Sequence, residues 1–195
     1  MTDPYYQDDR VTLYHGDCLE ITAWLDADVL VTDPPYGIDY QSGRDRDELA
    51  ASIAGDKDTT SRDTALTAWG ARPALVFGTW RIPRPERTHT RLIWDTKGAL
   101  GMGDLSVPWK PSDQEIYVLG KGFAGRRDSN VLTCPPIQAT AKNGRLHPHQ
   151  KPVDLLWRLI DKCPPGVIGV ELDERYCEVI ASRLAQGALD FGSTS

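Results

Sequence analysis

Cations are in short supply: 22 Lys and Arg stand against 28 Asp and Glu, giving a formal net charge of −6 and an isoelectric point near 5.2. Non-specific attachment to nucleic acid is largely electrostatic, so a uniformly cationic binder is excluded. Charge polarised over one face still steers a polyanion. Long apolar runs are missing as well. None approaches the ~18 residues of a membrane span, and no membrane partner is expected. Met1-Thr2-Asp3-Pro4 lacks the basic-then-apolar order of a secretory leader, so a cytoplasmic setting is expected. The four cysteines, Cys18, Cys134, Cys163 and Cys177, form no Cys-x-x-Cys pair. Such scattering favours reduced thiols over disulfides or zinc. His147 and His149 have no companion ligands in a recognisable spacing, so no metal is assigned. The chain has no internal repeat and no low-complexity segment.

What remains is ordinary globular material. At 195 residues, 40% hydrophobic and 26% charged, the chain suits one α/β domain over 1–195. Arg10–Tyr14 reads as a strand and Leu19–Leu25 as a short helix. Val29–Thr32 is a continuous apolar strand of the kind buried on both faces of a parallel sheet. Asp63–Trp69 reads as a helix, and Ala74–Phe77, Leu92–Trp94 and Glu115–Leu119 as strands. Pro152–Lys162 carries a helical apolar stripe, with Pro152 suited to its first turn. Glu174–Leu184 is a further helix, which Gly187 is expected to end. The tail Gly192–Ser195 is expected to fray. The loops 37–63 and 126–146 are candidate target-recognition loops, because long loops beside a motif carry function. Asn143-Gly144-Arg145 offers groups suited to base edges, or forms a plain turn. Two basic clusters, Arg81/Arg84/Arg87 and Lys121/Arg126/Arg127, read equally as solvated surface or as contacts to a polyanion.

The chemistry-bearing feature is Asp33-Pro34-Pro35-Tyr36, directly after Val29-Leu30-Val31-Thr32. In open α/β sheets, ligands bind at the C-terminal ends of strands. Both prolines fix their own φ and lack an N–H, and each extends the residue before it. The tetrapeptide therefore offers a carboxylate, free carbonyls and an aromatic face on a stiff loop. Those groups suit a flat ring that carries an NH2. A strand-ending turn is the plainer alternative, since Asp and Pro are common there.

Other segments match in a fixed order. Tyr14-His15-Gly16-Asp17-Cys18-Leu19 precedes the tetrapeptide. His147-Pro148-His149-Gln150-Lys151-Pro152 and Ile168-Gly169-Val170-Glu171-Leu172-Asp173 follow it. Together they resemble the beta-class DNA amino-methyltransferases, over about Val11 to Leu184. The resemblance implies a Rossmann-like, doubly wound, mostly parallel sheet. It implies methyl transfer from S-adenosylmethionine to an exocyclic amine of double-stranded DNA, with the target base flipped out. Adenine N6 is favoured over cytosine N4, because related cytosine enzymes often carry Ser where Asp33 stands. It assigns catalysis to Asp33, Pro34, Pro35 and Tyr36, and cofactor binding to Asp17, Cys18, Gln150, Lys151, Pro152, Glu171 and Asp173. His149 departs from the Thr usual in the family. Restriction-modification or phage biology is the setting implied. The oligomeric state stays open, a dimer included.

One family element is absent. Between the Lys-Pro segment and the ribose strand the family carries Asp-Pro-Phe-x-Gly-Ser-Gly, whose glycine-rich loop holds the methionine part of the cofactor. Here Cys163-Pro164-Pro165-Gly166 leads directly into Val167. Four residues cannot hold a further strand and helix, since a parallel crossover takes about a dozen. Either the central strand is gone, or Val167–Val170 stands in its place. The fold expected is therefore short of one strand–helix unit, and cofactor affinity is expected to be weak. A catalytically impaired DNA-binding remnant of the same fold is the alternative.

Overall fold

The computed structural model describes residues 3–9, 11–39, 53, 55–98, 103–137, 150–164 and 167–190. The chain divides into two compact units. One comprises Met1–Asp28 and Pro165–Ser195, the other Val29–Pro164.

The first unit holds β1 (Tyr6–Gln7), β2 (Val11–His15), a 3-10 turn (Ala23–Asp26), β8 (Val167–Glu171) and α3 (Glu174–Asp190). Its sheet order is β1-β2-β8. β1 runs antiparallel to β2, and β8 runs parallel to it with His15 opposite Glu171. The core consists of Leu13, Ile21, Trp24 and Cys177. Burial raises the Cys177 thiol to about 11, so it stays protonated. The helix expected over Leu19–Leu25 does not form. The Asp17 carboxylate accepts the Leu19 N–H at 2.8 Å, and this turn leaves only the 3-10 segment. α3 runs on through Gly187 to Asp190, so that glycine does not end it.

The second unit holds β3 (Leu30–Thr32), α1 (Thr60–Trp69), β4 (Ala74–Gly78), β5 (Thr88–Asp95), β6 (Asp113–Leu119), β7 (Val131–Thr133) and α2 (Val153–Ile160). The sheet order is β3-β4-β6-β5-β7. β3 and β4 are parallel, as are β5 and β7, while β6 is antiparallel to both its neighbours. Four of these five strands thus run the same way, and β6 alone is reversed. All five residues of β4 are buried. Leu75 and Phe77 pack with Trp94, Ile116, Leu132, Leu155 and Leu159 in one cluster. α2 has only eight residues, too few to persist alone in water. Leu155 and Leu159, both buried, each contribute about 1.5–3 kcal/mol of burial and hold it down. Pro152 is its N-cap, extended at φ −61° and ψ 138°, rather than part of its first turn.

β3 departs from the sequence reading. Its three residues are half-buried, because it pairs on one side with β4 and lies at the sheet's edge. Among the described residues β8 pairs with β2 alone. β1 and β7 lack any local signal in the sequence; each is two or three residues long.

Residues 40–52 and 54 of the candidate loop 37–63, and residues 138–146 of the candidate loop 126–146, lie outside the described residues. So do Asn143-Gly144-Arg145, His147, Pro148, His149 and the tail 191–195.

Candidate active site

The β3–β4 ladder ends with Thr32 opposite Val76, so Asp33 and Phe77 are the next residues on the two strands. Pro34 and Pro35 carry the chain outward. All of Pro34, Pro35 and Tyr36 are half-buried, and Asp33 is exposed. The tetrapeptide is thus at the surface, at the C-terminal ends of two parallel strands. Gly37 then turns the chain at φ +74°, and the Asp56 carboxylate accepts its N–H at 2.7 Å. Asp56 is itself buried and anchors the exit of the loop.

The Asp33 carboxylate is held from two sides. The Tyr36 hydroxyl donates to Oδ1 at 3.0 Å. The Lys151 ammonium donates to Oδ2 at 2.5 Å. Tyr36 also packs against the core cluster. Burial, and then the neighbouring Asp33 carboxylate, push its phenol well above the ordinary tyrosine range. Tyr36 therefore remains a donor at any physiological pH. Lys151 Nζ lies 4.9 Å from the Phe77 ring centroid and 5.8 Å from that of Tyr36. Such distances allow cation–π attraction.

The placement of Lys151 follows from sequence. A residue before proline is pushed to an extended backbone, and Pro152 opens α2. Leu155 and Leu159 fix α2 on the sheet, so its N-terminus delivers Lys151 to the edge that carries Asp33. Gln150 and Pro152 flank it, half-buried and buried respectively. Phe77 and Asp56 carry no sequence signal of a place at this site. Phe77 belongs to an apolar strand run, and only the parallel register shows that it borders Asp33. Asp56 lies in an acidic turn without any motif.

The remaining sequence candidates gather on the first unit. β2 and β8 are parallel and in register, so the residues after His15 and after Val170 leave at one edge. That edge carries Asp17, Cys18, Glu171 and Asp173. Gly16 N–H donates to the Glu171 carbonyl at 2.8 Å. Glu171 Oε1 accepts the Asp173 N–H at 3.0 Å. The Cys18 carbonyl accepts the Trp24 indole N–H at 2.8 Å. Asp173 accepts the Arg175 N–H at 3.0 Å and pairs with its guanidinium, which makes it a cap of α3.

The basic clusters divide by role. Arg84 (3.5 Å) and Arg91 pair with Glu115, a carboxylate only 1% exposed. The Tyr117 hydroxyl donates to the same carboxylate at 2.6 Å. Burial would raise Glu115, but the hydroxyl and the two guanidinium groups outweigh it and hold the carboxyl below its usual range. Arg87 donates to the Leu66 carbonyl at 3.2 Å. Arg84 and Arg87 therefore serve the fold, whereas Arg81 lies over Trp80 at 5.9 Å. Among the described residues no group of His, Cys, Asp or Glu could hold a metal ion, and no helix is long and apolar enough to cross a membrane.

No protein-family model matches the chain, and no curated protein matches it. Among solved structures, a crystal structure of the M1.HpyAVI–SAM complex aligns over 89% of this chain and 98% of its own, with a TM-score of 0.52 and 14% identity. At that identity the match shows the fold, a Rossmann-like α/β arrangement.

Proposed function

We propose that this protein is a methyltransferase-fold enzyme that methylates an exocyclic amine of a DNA base, using S-adenosylmethionine. Adenine N6 is the preferred target. The carrying observation is the exposed Asp33 carboxylate at the tip of β3, fixed on both oxygens and followed by a stiff Pro-Pro carbonyl path. M1.HpyAVI, whose fold the chain shares, is seen in complex with SAM, which supports the choice of cofactor.

Asp33 and the Pro34 carbonyl accept the two hydrogens of the amine. Its lone pair is ordinarily delocalised into the ring. Holding the hydrogens out of the ring plane returns that pair to nitrogen and aims it. Positive charge then grows on the nitrogen, and the Asp33 carboxylate stabilises it. Tyr36 stacks on the flipped base. When bound, the cofactor supplies a methyl carbon on a sulfonium, whose leaving group is a neutral thioether.

The two halves of the cofactor fare differently in the fit. Asp17 and Glu171 stand at one edge of an in-register parallel pair, suitable for a nucleoside base and ribose hydroxyls. The link from α2 to β8 has no glycine-rich loop for the amino-acid half. That gap favours a second reading, an impaired DNA-binding remnant. A transfer assay with labelled S-adenosylmethionine on unmethylated DNA separates the two. Incorporation that disappears in Asp33→Ala, with the fold intact by circular dichroism, supports the enzyme. Retained incorporation in that variant refutes the role of Asp33, and none in the wild type favours the remnant.

A further inference from the structure

We propose that Lys151 is a positioning residue for Asp33 rather than a cofactor ligand, and that it tunes the pocket toward neutral planar amines. The inference rests on the reading that Asp33 accepts the target amine. An ionised carboxylate has about four lone-pair sites. Tyr36 occupies one on Oδ1 and Lys151 one on Oδ2. Contacts on both oxygens fix the plane of the group, and the remaining lone pairs point to whatever approaches the loop. With a single contact the carboxylate would turn about its own bond.

Lys151 is well placed for this task. Its side chain is only 10% exposed. Its ammonium rests near the faces of Phe77 and Tyr36, and its backbone is tied to α2 through Pro152. Phe77 is buried at the end of β4, so the floor under the ammonium is rigid. The chemical consequence concerns charge. Asp33 and Lys151 together are neutral. An incoming amine therefore meets hydrogen-bond acceptors without a bare negative charge, and the pocket has no preference for a cation. A nucleobase NH2 is neutral because its lone pair is shared with the ring, whereas an aliphatic amine is protonated. Removing Lys151 should both loosen the carboxylate and open the site to cations.

The test uses the full chain with Lys151→Met and Lys151→Arg. Lysine reactivity is read first, by reductive methylation and mass spectrometry. In the wild type Lys151 should react at least about tenfold more slowly than exposed Lys57, because pairing and burial withhold the amine. Asp33→Asn should remove most of that protection. Transfer kinetics on an adenine-containing duplex are read next. Lys151→Met should lower kcat about 10- to 100-fold, the scale of a small misplacement, while affinity for S-adenosylmethionine changes less than about threefold. Lys151→Arg keeps the charge and should recover part of the rate. Spermine should inhibit Lys151→Met more strongly than wild type. An unprotected Lys151 in the wild type overturns the inference alone. So does a Lys151→Met protein that loses cofactor affinity but keeps kcat at saturation. Full protection with no transfer to any DNA tells against the functional reading, and the inference falls with it.

Discussion

Removing Asp33 should destabilise this protein unless Lys151 is removed as well. Loss of a catalytic carboxylate commonly leaves stability unchanged or improved, because active sites hold strained or uncompensated groups. Here the carboxylate has a partner. The Asp33 side chain is 36% exposed and that of Lys151 is 10% exposed. Exposed pairs contribute about 0–1 kcal/mol, whereas breaking a buried pair costs about 3–5 kcal/mol. The present pair lies between, since the orphaned ammonium is the buried member. It would keep the Phe77 and Tyr36 rings, a residual attraction of about 0.5–2 kcal/mol. Asp33→Ala should therefore cost about 2 kcal/mol, roughly 30-fold in the unfolding equilibrium. Lys151→Met leaves a carboxylate that rehydrates and keeps the Tyr36 hydroxyl, so about 1 kcal/mol is expected. In the Lys151→Met background, Asp33→Ala should cost well under 1 kcal/mol, giving a coupling energy of about 1–2 kcal/mol. Urea titration followed by tryptophan fluorescence measures this. Five of the six tryptophans lie in Val29–Pro164, so the signal reports the unit that contains the pair. With a slope of about 1–3 kcal/mol/M, the Asp33→Ala midpoint should fall by about 1 M. Additive costs, with coupling below about 0.3 kcal/mol, would show that Lys151 does not hold Asp33 and would refute the geometry on which the site is built.

Three further outcomes are expected. Glu115→Gln keeps an acceptor for Tyr117 but loses the charge facing Arg84 and Arg91, and should cost about 2 kcal/mol, in the range of charge-assisted bonds. Because the folded Glu115 carboxyl lies below its ordinary value, its contribution is complete above the unfolded value of about 4.3 and drains as pH falls through the lowered one. Wild type should consequently lose stability more steeply than Glu115→Gln below about pH 4; identical acid limbs in urea titrations would contradict the pairing. Gly37→Ala forces a side chain to φ +74° and places its Cβ 2.7 Å from the Asp58 backbone carbon. It should cost about 2–3 kcal/mol and displace Asp33–Tyr36, seen as lost protection of Lys151 with the rest of the fold intact. Calorimetric titration with S-adenosylmethionine should give a Kd weaker than about 100 μM, since each tenfold of lost contact is only about 1.4 kcal/mol. Low-micromolar binding would show that another segment supplies the methionine cradle.

The stiff loop Asp33-Pro34-Pro35-Tyr36 at the end of a strand was legible from the chain, because proline restricts backbone locally and a strand followed by a carboxylate needs no distant partner. The apolar runs at Ala74–Phe77, Glu115–Leu119 and Pro152–Lys162 announced their elements for the same reason: periodicity is local. Ends were less readable. Gly187 lies within α3, as a single glycine costs a helix only about 1 kcal/mol. Leu19–Leu25 yielded to a turn because the Asp17 side chain competes for backbone donors.

What the amino-acid order alone determined is the inventory: an acidic chain, an α/β alternation, a stiff Asp-Pro-Pro-Tyr loop, and no glycine-rich segment between Lys151 and Val167. Tertiary structure decided who meets whom. It set Lys151 against Asp33 across 118 residues, put Phe77 beneath the ammonium and tied Asp56 to Gly37. Strand pairing and ion pairing join residues far apart in the chain, and the entropy of closing those loops is recovered only when the whole sheet and its helix pack together. No local stretch of sequence carries that information.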